Sequence, residues 1–285
     1  MKRNVPCLCA MIATIVVSVS GQTSVAASHE HENDWKLVWS DEFNGPNGSA
    51  IDVSKWVIET GGKGWGNKEK EYYTDRLQNL FLQNGNLVIR ALKEKYTGPD
   101  RITRKYTSGR MKTQGKFSQK YGRFEARIKI PAGQGMWPAF WMLGDDITQV
   151  GWPGCGEIDI MENIGKEPGI IHGSIHGPGY TGTVGIEAPY HLPDMQRFAE
   201  DFHVFAIEWD PASISFYVDH NLYVTRTRAD LRPGWKWVFD KPFFLILNLA
   251  VGGDWPGNPN SSTVFPADML VDYVRVYQRT KSSKE

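Results

Sequence analysis

The chain is poor in cysteine. Three occur in 285 residues, and two of them, Cys7 and Cys9, lie in an apolar N-terminal run. Beyond that run only Cys155 remains, so no internal disulfide can form and stability must come from a packed core. Net charge is lacking too. The 32 basic residues balance 32 acidic ones, which argues against the basic face that a nucleic-acid partner would need. No long stretch repeats apolar residues with a clean 3.6-residue period, so helices are not expected to carry the fold.

One long apolar run is present, from Val5 to Val19. Lys2 and Arg3 precede it, and small residues lead from it to Val25-Ala26-Ala27. That order is the one of a secretory signal peptide, here residues 1–27. The run is too short to span a bilayer comfortably and no stop-transfer charges follow. The expectation is a secreted protein, extracellular or periplasmic, with no membrane attachment once the signal is removed. Residues 28–34 form a short polar linker, 35–279 a single domain, and 280–285 a polar tail. A monomer is expected.

Aromatics, glycine and proline are plentiful: 11 Trp, 11 Tyr and 13 Phe, with 29 Gly and 16 Pro. The aromatics either build a core or offer flat faces to sugar rings. The glycines and prolines punctuate short apolar runs. Asn84-Gly85-Asn86 turns into Leu87–Leu92. Phe124, Ala126, Ile128 and Ile130 alternate with Glu125, Arg127 and Lys129, the pattern of a half-buried antiparallel strand. Phe202–Trp209, Ile214–Val218 and Leu222–Val224 follow one another across turns. Phe243–Val251 is nearly all apolar, as a central strand should be, and Leu270–Tyr277 closes the series. Many short strands with regular turns predict an all-β fold, a two-sheet antiparallel jelly-roll sandwich.

The segment Gly156-Glu157-Ile158-Asp159-Ile160-Met161-Glu162-Asn163 carries the chemistry. Alternation puts Glu157 and Asp159 on one strand face and Ile158 and Ile160 on the other. Continued strictly, it would send Glu162 into the core, where an unpaired carboxylate is costly. A one-residue bulge near Ile160-Met161 returns Glu162 to the acidic face and lets Met161 pack. Four effective steps of ~3.3 Å then separate the outer Cα atoms by ~13 Å. Two long Glu side chains leaning together shorten that gap toward the ~5–5.5 Å of a retaining glycosidase, against ~6.5–9.5 Å for an inverting one. Three acids on one face repel, so at least one holds its proton to higher pH than a free Glu. A three-carboxylate Ca²⁺ site or a solvated acidic face are the alternatives. A hard-cation site, however, usually sits on a Gly- and Asn-rich loop.

Glu157-Ile158-Asp159-Ile160-Met161-Glu162 resembles the signature of glycoside hydrolase family 16, in the bulged form of its laminarinase branch. Trp152-Pro153-Gly154-Cys155-Gly156 before it is similar to that branch. So are Trp39–Gly45, Gly64-Trp65-Gly66-Asn67 with Tyr72-Tyr73-Thr74, Ser108-Gly109-Arg110, and Gly135–Leu143. Leu247–Gly257 and Asp272–Tyr277 complete the series. The likeness runs from about Trp35 to Gln278. It implies a jelly-roll with a cleft across the concave sheet, β-1,3-glucan as partner, and retaining hydrolysis without a catalytic cofactor. Glu157 would be the nucleophile, Asp159 its assistant and Glu162 the acid/base. It also implies a structural Ca²⁺ away from the cleft, at Glu42, Gly85 and Asp272. The alternatives are a mixed-linkage β-1,3-1,4-glucanase, a galactan hydrolase or transglycosylase on the same scaffold, and a non-catalytic glucan-binding protein.

Candidate sugar contacts surround the acids. Trp137 and Trp141, four apart on one strand, share a face and either line the cleft or pack in the core. Asn67 and Arg110 match positions that hydrogen-bond sugar in the negative subsites. His172, Ser174 and His176 share a strand face, and the resemblance favours His176 near the acid/base. Trp255 follows a Gly-Gly pair that permits close approach of its loop to a ligand, as a sugar platform. Asn248 is the one polar residue of an apolar strand and must find a partner. Cys155 shares parity with Glu157, but neighbouring acids raise a thiol's pKa and weaken it; it reads as a packing residue.

Overall fold

Short, β-branched and aromatic-rich segments bounded by glycine turns form strands throughout the computed structural model, which describes residue 1, residues 34–193 and residues 196–280. The segments expected to be signal peptide, linker and tail lie outside the described residues, except for Met1, Asp34 and residue 280. In chain order the strands are β1 (Trp35–Asp41), β2 (Val57–Ile58), β3 (Glu71–Tyr73), β4 (Leu80–Gln83), β5 (Asn86–Ala91), β6 (Tyr96–Thr97), β7 (Thr103–Arg104), β8 (Tyr106–Ser108), β9 (Arg110–Lys112) and β10 (Gly122–Lys129). There follow β11 (Met136–Gly144), β12 (Glu157–Glu162), β13 (Ile170–His176), β14 (Ile186–His191), β15 (His203–Trp209), β16 (Ser213–Val218), β17 (Asn221–Thr227), β18 (Phe243–Val251) and β19 (Ala267–Arg279). Among the described residues the α-helical segment is a single turn, Ile147–Val150, and no helix is long and apolar enough to cross a membrane.

The strands make a jelly-roll sandwich. One sheet runs β17-β16-β15-β10-β19-β5-β4, with β1 also paired to β19; the other runs β14-β13-β12-β11-β18-β9-β2. Alternating side chains from both sheets meet between them. Phe124, Ala126 and Ile128 of β10 and Val271, Val274 and Val276 of β19 face Leu245, Leu247, Leu249 and Val251 of β18 in one core cluster. Strand β18 is buried along its whole length. Its second face places Phe244 and Ile246 in a smaller cluster with Leu143 and Cys155. The expected alternation of β10 departs from the pattern at Glu125, which is buried beside Arg123. An outward carboxylate is tolerated there because its partner is adjacent.

The carboxylate strand β12 sits between β11 and β13 in the middle of the second sheet. Its register slips between Asp159 and Glu162 against β13, and between Phe140 and Trp141 on the β11 side. This is the bulge that the sequence demands. Ile158, Ile160 and Met161 all enter the core, while Glu162 returns to the outer face. Met161 is fully buried, so Met161→Ala should leave a cavity and cost about 2–5 kcal/mol in a thermal or denaturant melt. Met161→Lys should fail to fold, because it drives an unpaired charge between the sheets. Tolerance of both substitutions would place the side chain outside the core and remove the bulge.

Candidate active site

Register across the second sheet assembles the outer face in rows. Arg110, Asn248, Ala139, Glu162 and His172 lie opposite one another on successive strands β9, β18, β11, β12 and β13. The next row is Lys112, Ile246, Trp141, Asp159, Ser174 and Glu187, and the third is Phe244, Leu143, Glu157 and His176. Residues directly opposite in a sheet share a face. Segments far apart in sequence therefore deliver Arg110, Trp141, Asn248, His176 and the three acids to one surface.

Each outer carboxyl receives an indole N–H. Trp152 Nε1 donates to Glu157 Oε2 at 2.7 Å, and Trp137 Nε1 donates to Glu162 Oε1 at 2.9 Å. Asp159 is buried. Its carboxyl shares a hydrogen bond with that of Glu157, and its Oδ2 lies 3.1 Å from His176 Nε2. Gly185 packs on the histidine: a Cβ there would come within 2.2 Å of His176 Cε1, so the close fit needs glycine. Trp255 stands edge-on to Trp137 at 5.5 Å and to His172 at 5.0 Å. His172 is held between Glu187 and Glu167. Burial works against its charge, but those two acids outweigh burial and raise its pKa.

The other wall is a stack. The Arg110 guanidinium lies over Trp65 at 4.6 Å and over Trp141 at 4.9 Å, and its Nε donates to Glu59 at 2.6 Å. Trp141 Nε1 donates to Asn248 Oδ1 at 2.7 Å, and Asn248 Nδ2 donates to Tyr73 Oη at 3.2 Å. Asn248 thus has the partners its burial requires. Asn67 is exposed on the loop before β3. Its main-chain oxygen accepts from Asp254 N at 3.0 Å, tying that loop to the Gly252–Gly257 turn.

Electrostatics divide the acids. Burial raises Glu157 to about 8, and the Asp159 charge adds to the rise, while His176 and the Trp152 N–H oppose it. Burial likewise raises Asp159 to about 8, with its bond to Glu157 pulling the other way. Glu162 is raised well above the usual carboxylate range, by burial first and then by the charges of Asp159 and Glu157. Groups this close titrate as a cluster that holds protons in common. Two carboxyls with unequal proton affinity on one face can act as an acid and as a nucleophile or base.

A family model described as glycosyl hydrolases family 16 matches residues 65–275. The chain belongs to this family. It is 44% identical over 254 residues to a protein named Beta-glucanase from Rhodothermus marinus, covering 86% of this chain and 85% of that one. It is 42% identical over 262 residues to Glucan endo-1,3-beta-glucosidase A1 of Niallia circulans, where it spans 38% of the longer protein. Among solved structures, the endo-beta-1,3-glucanase from Pyrococcus furiosus superposes with a TM-score of 0.83 at 52% identity, over 87% of this chain and 96% of that one.

The family-16 reading of the sequence included the acids, Trp137, Trp141, His176 and Asn248. Trp152, Trp65, Glu59 and Tyr73 were quoted there only as motif letters or not at all, since their partners lie 5 to 175 residues away in sequence. Cys155 is fully buried in the smaller core cluster. Burial, and then the Glu157 charge, pushes its thiol up to about 11. Glu157, Asp159 and His176 each offer a ligand atom within 4.8 Å of the other two. One of those oxygens already accepts from Trp152 and another faces His176, so the group reads as a proton-sharing cluster.

The side-chain donors at the positions expected to hold calcium already have partners within the protein. Both oxygens of Glu42 accept from Arg275, at 3.0 and 2.8 Å, and Asp272 Oδ2 accepts from Arg127 at 2.8 Å. Gly85, in a turn at φ +72, offers only its carbonyl. The carboxylates are committed to guanidinium groups, so a cation there would draw mainly on main-chain oxygens, which Ca²⁺ accepts.

The raised carboxyls make the fold bind more protons than the unfolded chain between the ordinary Glu value of 4.5 and about 8. Stability must therefore fall as pH rises through that window. Glu162→Gln removes one of the repelling charges. Its melting temperature should match wild type at about pH 4 and exceed it near pH 8, by about 2–4 °C for each kcal/mol relieved. An equal offset at both pH values would show that Glu162 titrates normally.

Proposed function

We propose that this family-16 hydrolase is a retaining endo-β-1,3-glucanase, with Glu157 as nucleophile and Glu162 as acid/base. The observation that carries the reading is the bulged strand, which lines up Glu157, Asp159 and Glu162 on one open face with an indole N–H on each outer carboxyl. Glu157 attacks the anomeric carbon while Glu162 protonates the leaving oxygen; Glu162 then draws a proton from water to release the glycosyl-enzyme. Asp159, bonded to Glu157, takes up the proton balance between them. Trp255, Trp141, Arg110, Asn67 and Asn248 line the path of the sugar chain. Linkage preference follows the endo-1,3-beta-glucosidase and endo-beta-1,3-glucanase relatives, with mixed-linkage glucan as the second substrate to try.

The same proposal includes secretion through residues 1–27, action as a monomer, and a structural Ca²⁺ at Glu42, Gly85 and Asp272 that takes no part in the chemistry. Chelation should then lower the melting temperature and leave kcat unchanged, with the difference growing as calcium is restored over its Kd. A melt indifferent to chelator would mean that Arg275 and Arg127 alone hold those carboxylates.

Incubation with laminarin, followed by proton NMR from the first time points, should show the β-anomer appearing before mutarotation. An α-anomer first would mean inversion. Glu157→Gln should lose roughly 10³-fold or more in kcat while still binding glucan. Glu162→Ala should lose activity and regain it with azide on an activated aryl glycoside. Substantial turnover by the Glu157 variant would remove the nucleophile assignment.

A further inference from the structure

Behind the Arg110–Trp141–Asn248 wall lies a second pair of acids that the hydrolytic scheme does not use. Glu69, Glu71 and Tyr73 alternate along one face of β3 and the segment before it. Tyr73 and Glu71 are fully buried, and Glu69 is 4% exposed. Tyr73 Oη donates to Glu69 Oε2 at 2.9 Å, and the main-chain N–H of Val251 donates to Glu71 Oε2 at 2.6 Å. Glu71 Oε1 is buried without a donor among the described residues. An ionised oxygen there would be an unpaired buried charge. The Glu69 carboxyl is in hydrogen-bond contact with Glu71, and two acceptors meet this way only if one carries a proton. We infer that Glu71 is a permanently protonated positioning residue, which donates to an ionised Glu69 and thereby sets the direction of the hydrogen-bond chain that aims Asn248 and Trp141 at the substrate.

The direction can be followed atom by atom. Glu71 O–H donates to Glu69. Glu69 accepts from Tyr73 O–H, and more weakly from Asn67 Nδ2 at 3.4 Å. Tyr73, having donated, accepts from Asn248 Nδ2, which turns Asn248 Oδ1 toward the Trp141 N–H. Each group has one consistent role, and the amide of Asn248 cannot flip without breaking two bonds. The charge state agrees. Burial and the Glu69 charge hold Glu71 well above the usual carboxylate range, while Arg110 and Tyr73 work against a smaller rise at Glu69. The Val251 N–H on Glu71 also anchors the strand that leads to Gly252 and Trp255. One buried proton thus orders both walls of the sugar path.

This inference rests on the proposed glucanase reading for the ligand that Asn248 and Trp141 meet, and its test has a readout that does not. A wild-type minus Glu71→Gln infrared difference spectrum at neutral pH should contain the band of a protonated carboxyl, shifting on exchange into D₂O. The amide of E71Q can donate to Glu69 and accept from Val251, so KM for laminarin should stay within about twofold of wild type. Glu71→Leu removes both bonds and should raise KM about tenfold with kcat little changed, as loss of substrate positioning rather than chemistry does. Glu69→Gln, which cannot accept from both neighbours, should resemble E71L. Absence of the protonated band, or E71Q impaired as badly as E71L, would overturn the assignment. If wild type hydrolyses no β-glucan at all, the glucanase reading falls and the infrared band alone decides the state of Glu71.

Discussion

The structure depends on holding three carboxyls together on one strand face against their own repulsion. Free strands would splay or take up counter-ions to relieve it. Here β12 is locked between β11 and β13, and its reverse face is wedged into the core by Ile158, Ile160 and Met161. The apolar strand β18, buried on both faces, backs the same sheet from the other side of β11. The acids cannot move apart, so they relax by sharing protons and by taking N–H groups from Trp152 and Trp137. The repulsion is carried as a stability cost by the rest of the sandwich, the usual relation between a working site and its scaffold.

Where the sequence was most legible, it was so because a physical conflict had one cheap solution. Alternation through Glu157-Ile158-Asp159-Ile160 continues wrongly at Met161-Glu162, and a bulge repairs both errors in a single step. The slip in register stands at that place. Strands β10, β15, β16, β18 and β19 were readable for a related reason, since periodicity along one segment reports which face is buried. Periodicity is silent on what lies opposite. Trp152 was a letter before the acid strand, and nothing local says that its indole returns to Glu157. Glu69 and Glu71 drew no reading from the sequence, because only the fold sets them and Tyr73 against Asn248 and Val251. The side chains of Glu42 and Asp272 illustrate the same limit. Their residue types suit a cation, and only the fold shows the cross-strand arginines that also hold them.

Two styles of preorganisation meet on the open face. On the acid side the contacts are charged or proton-sharing, and they change as the sugar is cleaved. On the Arg110 side a fixed Arg110–Glu59 ion pair, ring stacking and hydrogen bonds with assigned donors and acceptors run from Trp65 through Trp141 to Asn248 and Tyr73. Groups that must change protonation gain from a neighbourhood with several close-lying states. Groups that must only aim a sugar ring gain from having one. The bulged strand lies beside β11, whose Trp137 serves the first set and whose Trp141 serves the second, four residues apart.

That division also explains how two glutamates five positions apart on one strand take different roles. Glu157 has the nearer relief: Trp152 donates to it and His176 stands across the row, against the raising effect of burial and of Asp159. Glu162 is more strongly raised, by burial and then by the combined charges of Asp159 and Glu157, which His176 and the Trp137 indole N–H only partly offset. The proton that the cluster retains longest therefore settles on Glu162, where a leaving oxygen needs one. Of the two glutamates, Glu157 gives up its proton first, where the anomeric carbon needs an attacking oxygen. Had the strand run without its bulge, Glu162 would lose the indole along with the open face, and its proton would have no leaving oxygen to meet.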